Sequence, residues 1–312
     1  MHPAFSVIFF TTLSGLGYGL WFWTSLGLLL GAGRGEQAGT MSLVALLLGF
    51  VLVSTGLLSS TLHLGKPLRA WRAFSQWRMS WLSREAVLAI GCLVPLASLA
   101  AWVLFQLSPP PAFEQAMLAS LLVLSLATIL CTAMIYASLK TIPAWSHRLV
   151  VPGYLLFALL TGGLLHMAIL SVTSRLSPLS GVAVAMLAVL LGVLKLLYWR
   201  DIDRGEMPTT RASALGLPAN RVVRDFERPH TEANYLTREM GFVVARKHAR
   251  KLRLIALALF AGLPVLIGLL VAVAPSQSGS LLWLASLSAL AGAMFERWLF
   301  FAEAKHVVMT YY

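Results

Sequence analysis

The chain has 312 residues, of which 58% are hydrophobic and only 12% charged, and its mean hydropathy is +0.80. Soluble domains carry about a quarter charged residues, so this composition excludes an ordinary soluble enzyme and predicts an integral membrane protein. The net charge of +12 does not indicate nucleic-acid binding, because the cations flank apolar runs and no binding motif accompanies them. Anionic lipid or a protein partner explains them better.

Apolar runs of spanning length follow one another along the whole sequence. They lie at 5–31, 41–64, 84–106, 114–137, 149–171, 178–199, 252–275 and 279–302, each close to the ~20 residues that a helix needs to cross the hydrocarbon. We therefore predict an all-α integral membrane protein, in which residues 1–312 form a single domain, a bundle of eight transmembrane helices. The long segment 200–251 is predicted to be a loop on the cytoplasmic side.

The distribution of Lys and Arg predicts the topology. An even number of spans puts both termini and the loops at 65–83, 138–148 and 200–251 on one side. This side carries most of the cations, whereas the opposite loops hold only Arg34 and Arg175. The positive-inside rule then places both termini in the cytoplasm. A basic face can also be the dock for an acidic soluble partner, so the face that carries partners stays open.

Few ionisable residues are truly internal candidates, away from the interfaces of the predicted spans. These are His166, Lys195, Glu296 and Arg297, and charge in hydrocarbon is costly enough to make each a candidate functional group. Lys195 could still reach the interface, and Glu296 and Arg297 could compensate each other. A haem site needs two histidines at similar depth, but His63 and His166 are predicted near opposite surfaces, so we expect no haem.

Motifs for other chemistries are missing from the sequence. There is no HExxH, P-loop or GxGxxG in a suitable context, which leaves hydrolysis, nucleotide-driven transport and dinucleotide chemistry without support. Cys92 and Cys131 lie inside apolar runs without CxxC or Cys/His spacing. We predict neither a disulfide framework nor a metal site.

The clearest candidate site is LHLGKPLRAWRAFSQWRMSWLSREAVL at 62–88, which places His63 and Glu85 at one membrane interface. A quinol loses two protons with its two electrons, so its site needs an apolar slot and a hydrogen-bond acceptor for each hydroxyl. Histidine and carboxylate suit this task, because their surroundings can tune each pKa toward neutrality. A structural reading is also open, in which His63 caps its helix and Glu85 is a first-turn carboxylate facing the helix dipole.

Three stretches carry a resemblance to a known family. MHPAFSVIFFTTLSGLGYGL, SSTLHLGKPLRAWRAF and WLSRE resemble the membrane anchor subunit of the dimethyl sulfoxide (DMSO) reductase family (DmsC), and the eight-span pattern extends the likeness over essentially the whole sequence. His63 in LHLGKP and Glu85 in LSRE match the family's menaquinol-site histidine and glutamate by motif. The quinol-binding set that we predict adds their neighbours Arg69, Trp81, Ser83 and Arg84.

The resemblance implies a function for the protein. We expect an anchor subunit without haem or metal in the bacterial inner membrane, which oxidises menaquinol in anaerobic respiration. Its electrons would pass to an iron–sulfur subunit and on to a molybdopterin catalytic subunit. The protein itself would be a quinol-oxidising or a non-catalytic subunit of the oxidoreductase complex, and we predict no catalytic residue beyond the quinol site.

Three other functions stay open on the sequence. A polysulfide-reductase-type anchor also handles quinol without haem and would differ in its partners. A secondary transporter is less favoured, because no clear internal repeat or pair of broken helices is visible. A purely structural anchor would bind the partner without a quinol-dependent signal.

Overall fold

The computed structural model describes residues 4–31, 36–62, 64–173, 176–205, 207–218, 220–224, 226, 244–275 and 279–310. Across these residues the protein is helical and contains no strand. Eight helical segments are long and apolar enough to cross a membrane. This confirms the predicted all-α membrane bundle.

The helices follow the apolar runs in sequence order. They are α1 (Phe5–Leu29), α2 (Glu36–Thr61), a 3₁₀ helix (Pro67–Gln76), α3 (Trp81–Gly91), α4 (Leu93–Leu104), α5 (Pro111–Ala137), α6 (Val150–Leu170), α7 (Pro178–Arg204), the short α8 (Arg211–Ala214), α9 (Val244–Leu257), α10 (Leu263–Val273), α11 (Gly279–Ala302) and a final 3₁₀ turn (Val307–Thr310). The segment 200–251, predicted as a loop, thus contains the end of α7, all of α8 and the start of α9.

Two of the spans are interrupted, each beside a proline. The third span consists of α3 and α4, which join at Cys92, and Pro95 cannot donate a hydrogen bond to the Gly91 carbonyl four residues earlier. The seventh consists of α9 and α10 with a π-helical turn between them at Ala258–Gly262. Pro264 likewise leaves the Phe260 carbonyl without its usual partner, and a π turn accommodates such a defect.

Helices α1 and α6 form the centre of the bundle. They are the most buried of the spanning helices, and α1 packs against α2, α5 and α6. Gly19 and Gly162 allow the α1 and α6 backbones to touch, since a methyl group on either residue would overlap the other helix. Trp21 is fully buried, and its indole nitrogen donates to the Leu46 carbonyl at 3.0 Å, which fixes α1 against α2.

The loop 138–149 is hydrogen-bonded to the end of α11 and to the 3₁₀ turn that follows it. The Trp145 indole donates to the Phe300 carbonyl at 3.0 Å, and the Val307 amide donates to the Thr141 carbonyl at 3.0 Å. On the other flank, the Tyr198 hydroxyl of α7 donates to the Ala144 carbonyl at 2.9 Å. These bonds hold Trp145 at the inner end of the cleft described next.

Candidate functional site

A large cleft opens beside the segment that the sequence identified. Its volume is about 1120 Å³, enough for a ligand of cofactor size. The walls come from the N-terminal half of α1, the C-terminal half of α2, the 3₁₀ helix 67–76, and α3 with the first residue of α4. The inner end is closed by Ile135, Tyr136, Trp145 and Phe301. Most of the lining is apolar.

Glu85 is the acidic side chain in this lining. It lies on α3 with only 2% of its surface exposed. Helix α3 begins at Trp81, and the Ser80 hydroxyl caps it by accepting a hydrogen bond from the Ser83 amide at 3.4 Å. Glu85 is therefore the fifth helical residue, in the second turn, and its side chain is turned inward to accept a hydrogen bond from the Thr132 hydroxyl of α5.

Basic side chains of the 3₁₀ helix and its N-cap also line the cleft. Lys66 and Arg69 are exposed and belong to the same lining as Glu85. The helix forms here because Pro67 at its first position presets the backbone dihedral for a helical turn. Its apolar residues Ala70, Ala73 and Phe74 face the cleft as well. One short helix thus contributes both apolar surface and positive charge.

The remaining predicted site residues lie beside the cleft. The Arg84 guanidinium stacks on the Trp81 ring at 4.3 Å and donates to the Trp77 and Arg78 carbonyls at 3.1 and 2.6 Å. Ser83 is buried at the helix cap. Of the predicted residues that the structure describes, Arg69 and Glu85 line the cleft, while Trp81, Ser83 and Arg84 brace the turn that precedes α3. His63 lies outside the described residues.

Several lining residues were not predicted from the sequence. Tyr136 and Trp145 belong to an aromatic cluster with ring centroids 5.6 Å apart, and Phe301 packs on both rings. Thr132, on the same helix as Tyr136, lies behind the lining and was not predicted either. These residues are distant in sequence from the 62–88 motif, and an apolar run gives no signal of which of its faces turns toward another helix.

A second group of ionisable side chains lies deeper in the bundle. Lys195 and Glu296 form an ion pair in which both side chains are buried, and Arg297 lies 3.7 Å from Glu296. Lys195, which on the sequence could have reached the interface, is instead held inside the bundle by Glu296. The Arg297 guanidinium lies 3.6 Å from the centre of the Tyr154 ring, which stacks on Tyr136 of the cleft.

The other intramembrane candidate, His166, lies within hydrogen-bond distance of a side chain on another helix. Its Nδ1 lies 3.2 Å from the Thr24 hydroxyl of α1. Within the part of the sequence that the structure describes, no group of three or more His, Cys, Asp or Glu residues could hold a metal ion.

Fold and site together define a multi-pass membrane protein whose cleft presents a buried carboxyl among apolar side chains. Residues 1–302 match the sequence model of the DMSO reductase anchor subunit (DmsC) family. The protein is similar to the C subunit of sulfite dehydrogenase from Allochromatium vinosum, with 34% identity over 325 aligned positions that cover 100% of this sequence and 99% of that protein. It is also similar to the C subunit of anaerobic dimethyl sulfoxide reductase from Escherichia coli, with 28% identity over 174 positions, 53% of this sequence and 58% of that protein.

The protein therefore belongs to the family of DMSO reductase anchor subunits, which confirms the resemblance seen in the sequence. Both relatives are subunits of oxidoreductases.

Proposed function

We propose that this protein is the haem-free, metal-free membrane anchor of a molybdoenzyme complex and that it oxidises menaquinol in the cleft. Electrons then pass to an iron–sulfur subunit, which supplies a molybdopterin catalytic subunit in anaerobic respiration. The observation that carries the proposal is Glu85, a buried carboxyl in the wall of an otherwise mostly apolar cleft. Burying a carboxyl in such a place costs free energy, which makes Glu85 a candidate functional group.

The lining suits the two parts of a quinol. Phe10, Phe50 and Leu57 offer apolar contacts to the isoprenoid tail, and Tyr136 and Trp145 close the end where a ring would lie. Oxidation of the quinol releases two electrons and two protons. Glu85 accepts a hydrogen bond from one hydroxyl and then its proton, which is the role of a general base.

His63 is proposed as the acceptor for the second hydroxyl, on the strength of its motif LHLGKP. Arg69, at the mouth of the cleft, is proposed to hydrogen-bond a ring oxygen as negative charge develops on it. Trp81, Ser83 and Arg84 are proposed to keep the turn before α3 in place, so that Glu85 stays at the cleft wall.

We also propose how the protein sits in its complex. The domain lies in the bacterial inner membrane with both termini in the cytoplasm. The iron–sulfur subunit docks on the face where the cleft ends at Trp145, because electrons must leave near the quinol ring. Exposed cations border that loop, at Lys140, Arg148 and Lys305, and they suit an acidic partner surface.

One observation favours a second candidate, with the electrons running in reverse. The similarity to a sulfite dehydrogenase subunit extends over the whole sequence, whereas the similarity to a DMSO reductase subunit extends over about half of it. A dehydrogenase withdraws electrons from its substrate, so an anchor in such a complex would reduce menaquinone. Glu85 would then donate a proton to the quinone instead of accepting one. A polysulfide-reductase-type anchor would use the same cleft with a different catalytic partner.

The test is quinol turnover by the assembled complex in membranes, measured in both directions with a soluble menaquinol analogue and its oxidised form. Glu85→Gln keeps the shape of the side chain and removes the base, so turnover should fall by about 100-fold or more. Glu114→Gln changes an exposed glutamate in the first turn of α5 and should leave turnover unchanged. Retained turnover in the Glu85 variant would refute the proposal, and the faster direction decides between the two candidates.

A further inference from the structure

Among the described residues, one side chain hydrogen-bonds to the Glu85 carboxyl from the side away from the cleft. This is Thr132, which lies 47 positions further along the sequence on α5 and is 4% exposed. Its hydroxyl contacts the Glu85 Oε1 atom and also lies 3.0 Å from the Thr128 carbonyl oxygen. Thr132 itself does not belong to the described lining of the cleft.

The Thr132 hydroxyl cannot donate its proton fully to Glu85 and to the Thr128 carbonyl at the same time. A hydroxyl has one hydrogen to donate and two lone pairs that accept. When Glu85 is ionised, Thr132 donates to the carboxylate. When Glu85 is protonated, the new O–H donates to the Thr132 oxygen, and the Thr132 hydrogen turns to the Thr128 carbonyl.

Because of this alternation, Thr132 is a hydrogen-bond partner of Glu85 whether the carboxyl is ionised or protonated. Burying a carboxyl that is satisfied in only one of its protonation states penalises the other state, because an unpaired polar group in an apolar site loses its solvation. A residue that must take up and release a proton in each turnover therefore needs a partner that can reverse its role. Thr132 has the geometry for it.

Behind Thr132 lies a small cavity. Its volume is about 20 Å³, which is room for about one water molecule. Its lining residues include side chains with hydroxyl groups and one guanidinium, namely Thr11, Thr12, Ser14, Tyr18, Thr132, Tyr154, Thr161 and Arg297. The Tyr18 hydroxyl has no hydrogen-bond partner among the described residues.

We propose that Thr132 is a positioning residue for the quinol reaction, whose hydroxyl reverses its hydrogen bond each time Glu85 gains or loses a proton. The proposal rests on the function proposed above for Glu85. Thr132 touches neither the quinol nor its tail, and its effect passes through the carboxyl alone. Titratable groups that face Glu85 from other positions are Tyr18 on α1, Cys131 and Tyr136 on α5, and Tyr154 on α6.

The experiment compares variants of the full complex in membranes. Thr132→Val keeps the shape and removes the hydroxyl, and Thr132→Ser keeps the hydroxyl. The matched control is Thr161→Val, since Thr161 lines the same cavity but donates to the Phe157 carbonyl at 2.7 Å. The readouts are kcat and KM for a menaquinol analogue, and the infrared difference band of the Glu85 carboxyl on reduction of the quinone pool.

Thr132→Val should lower kcat by about 10- to 100-fold, the effect of losing a buried hydrogen bond to a charged group. KM should change less than about twofold, because the cleft lining is intact. The carboxyl band should shift in Thr132→Val and stay in place in Thr132→Ser and Thr161→Val. If Thr132→Val does not assemble, Thr132→Cys, whose thiol is a weak donor, should show an intermediate kcat and a shifted band.

Two results would overturn the inference in different ways. An inactive Glu85→Gln together with an unchanged kcat and band in the Thr132 variants would refute the role of Thr132 and leave the quinol site standing. An active Glu85→Gln would refute the proposed function and the inference with it.

Discussion

The Lys195 ammonium and the Glu296 carboxylate form an ion pair inside the bundle, where each side chain is at most 6% exposed. Arg297 lies beside Glu296 at 3.7 Å, so the group carries one negative and two positive charges. The Lys195 nitrogen also lies 3.9 Å from the centre of the Tyr198 ring, whose face is electron-rich. A buried ion pair thereby links helices α7 and α11.

Removing one partner of this pair should destabilise the protein strongly. In Glu296→Gln, two buried cations lose their counter-charge, and we expect a loss of about 3–5 kcal/mol in the free energy of unfolding. The double variant Lys195→Met/Glu296→Leu removes both charges of the pair but still leaves Arg297 without a counter-charge, so it should recover only part of that loss. Unfolding of the purified protein in mixed micelles measures both. Equal destabilisation in the single and double variants would contradict this account of the pair.

The contact between Gly19 and Gly162 predicts a steric effect. In Gly19→Ala, the new methyl group would overlap the Ala158 carbonyl on α6, so α1 and α6 must move apart. We expect a loss of about 1–3 kcal/mol, the usual cost of overpacking. A shift in the thermal unfolding midpoint of the purified protein measures it.

Gly39 provides the matched control for that substitution. It lies in α2, and a methyl group there would meet no atom within 4 Å. Gly39→Ala should therefore stabilise α2 by up to about 1 kcal/mol through helix propensity. A Gly19→Ala protein as stable as wild type would show that the backbones of α1 and α6 are not in close contact.

The sequence predicted the helical class and the place of the candidate site, because both depend on features within short stretches of the sequence. Long apolar runs require helices in a bilayer, because every backbone polar group must be satisfied within the segment. The motif at 62–88 indicated where Glu85 and Arg69 lie. The break at Cys92 has a visible cause in Pro95, although hydropathy alone shows one continuous run.

The partners of the buried side chains could not be predicted. Glu85 with Thr132, and Lys195 with Glu296, are 47 and 101 positions apart, and each pairing depends on how two helices are rotated about their axes. In a run that is apolar all round, the sequence pattern does not define a buried face. Trp145 was missed for a different reason, since it reaches the cleft from a loop that is fastened to α11.

His147 predicts an effect of pH on stability. It lies in the loop before α6, and burial lowers its pKa below the usual 6.5, although Asp201 at 3.5 Å opposes part of the shift. A histidine with a lowered pKa binds fewer protons when folded than when unfolded. Its contribution is therefore complete above pH 6.5 and is lost as the pH falls toward the folded pKa.

The thermal unfolding midpoint should accordingly decrease on the acid side of pH 6.5 in the wild type, and less steeply in His147→Gln. Glu303 has the opposite effect on the pH dependence of stability, because burial raises its pKa although Arg253 opposes the shift. Since Glu303 is present in both proteins, the difference between the two pH profiles reports on His147. Parallel profiles would contradict a partly buried, neutral His147.

The most direct test of the central claim is the binding of a menaquinol analogue to the purified complex. Fluorescence titration would compare wild type, Glu85→Gln and Glu114→Gln, with the iron–sulfur protein quantified in each preparation. We predict one site in wild type and Glu114→Gln, with affinity reduced about tenfold or more in Glu85→Gln, as expected for a buried hydrogen bond to a charged group. Equal affinity in all three proteins, with the partner present throughout, would contradict a quinol site at Glu85.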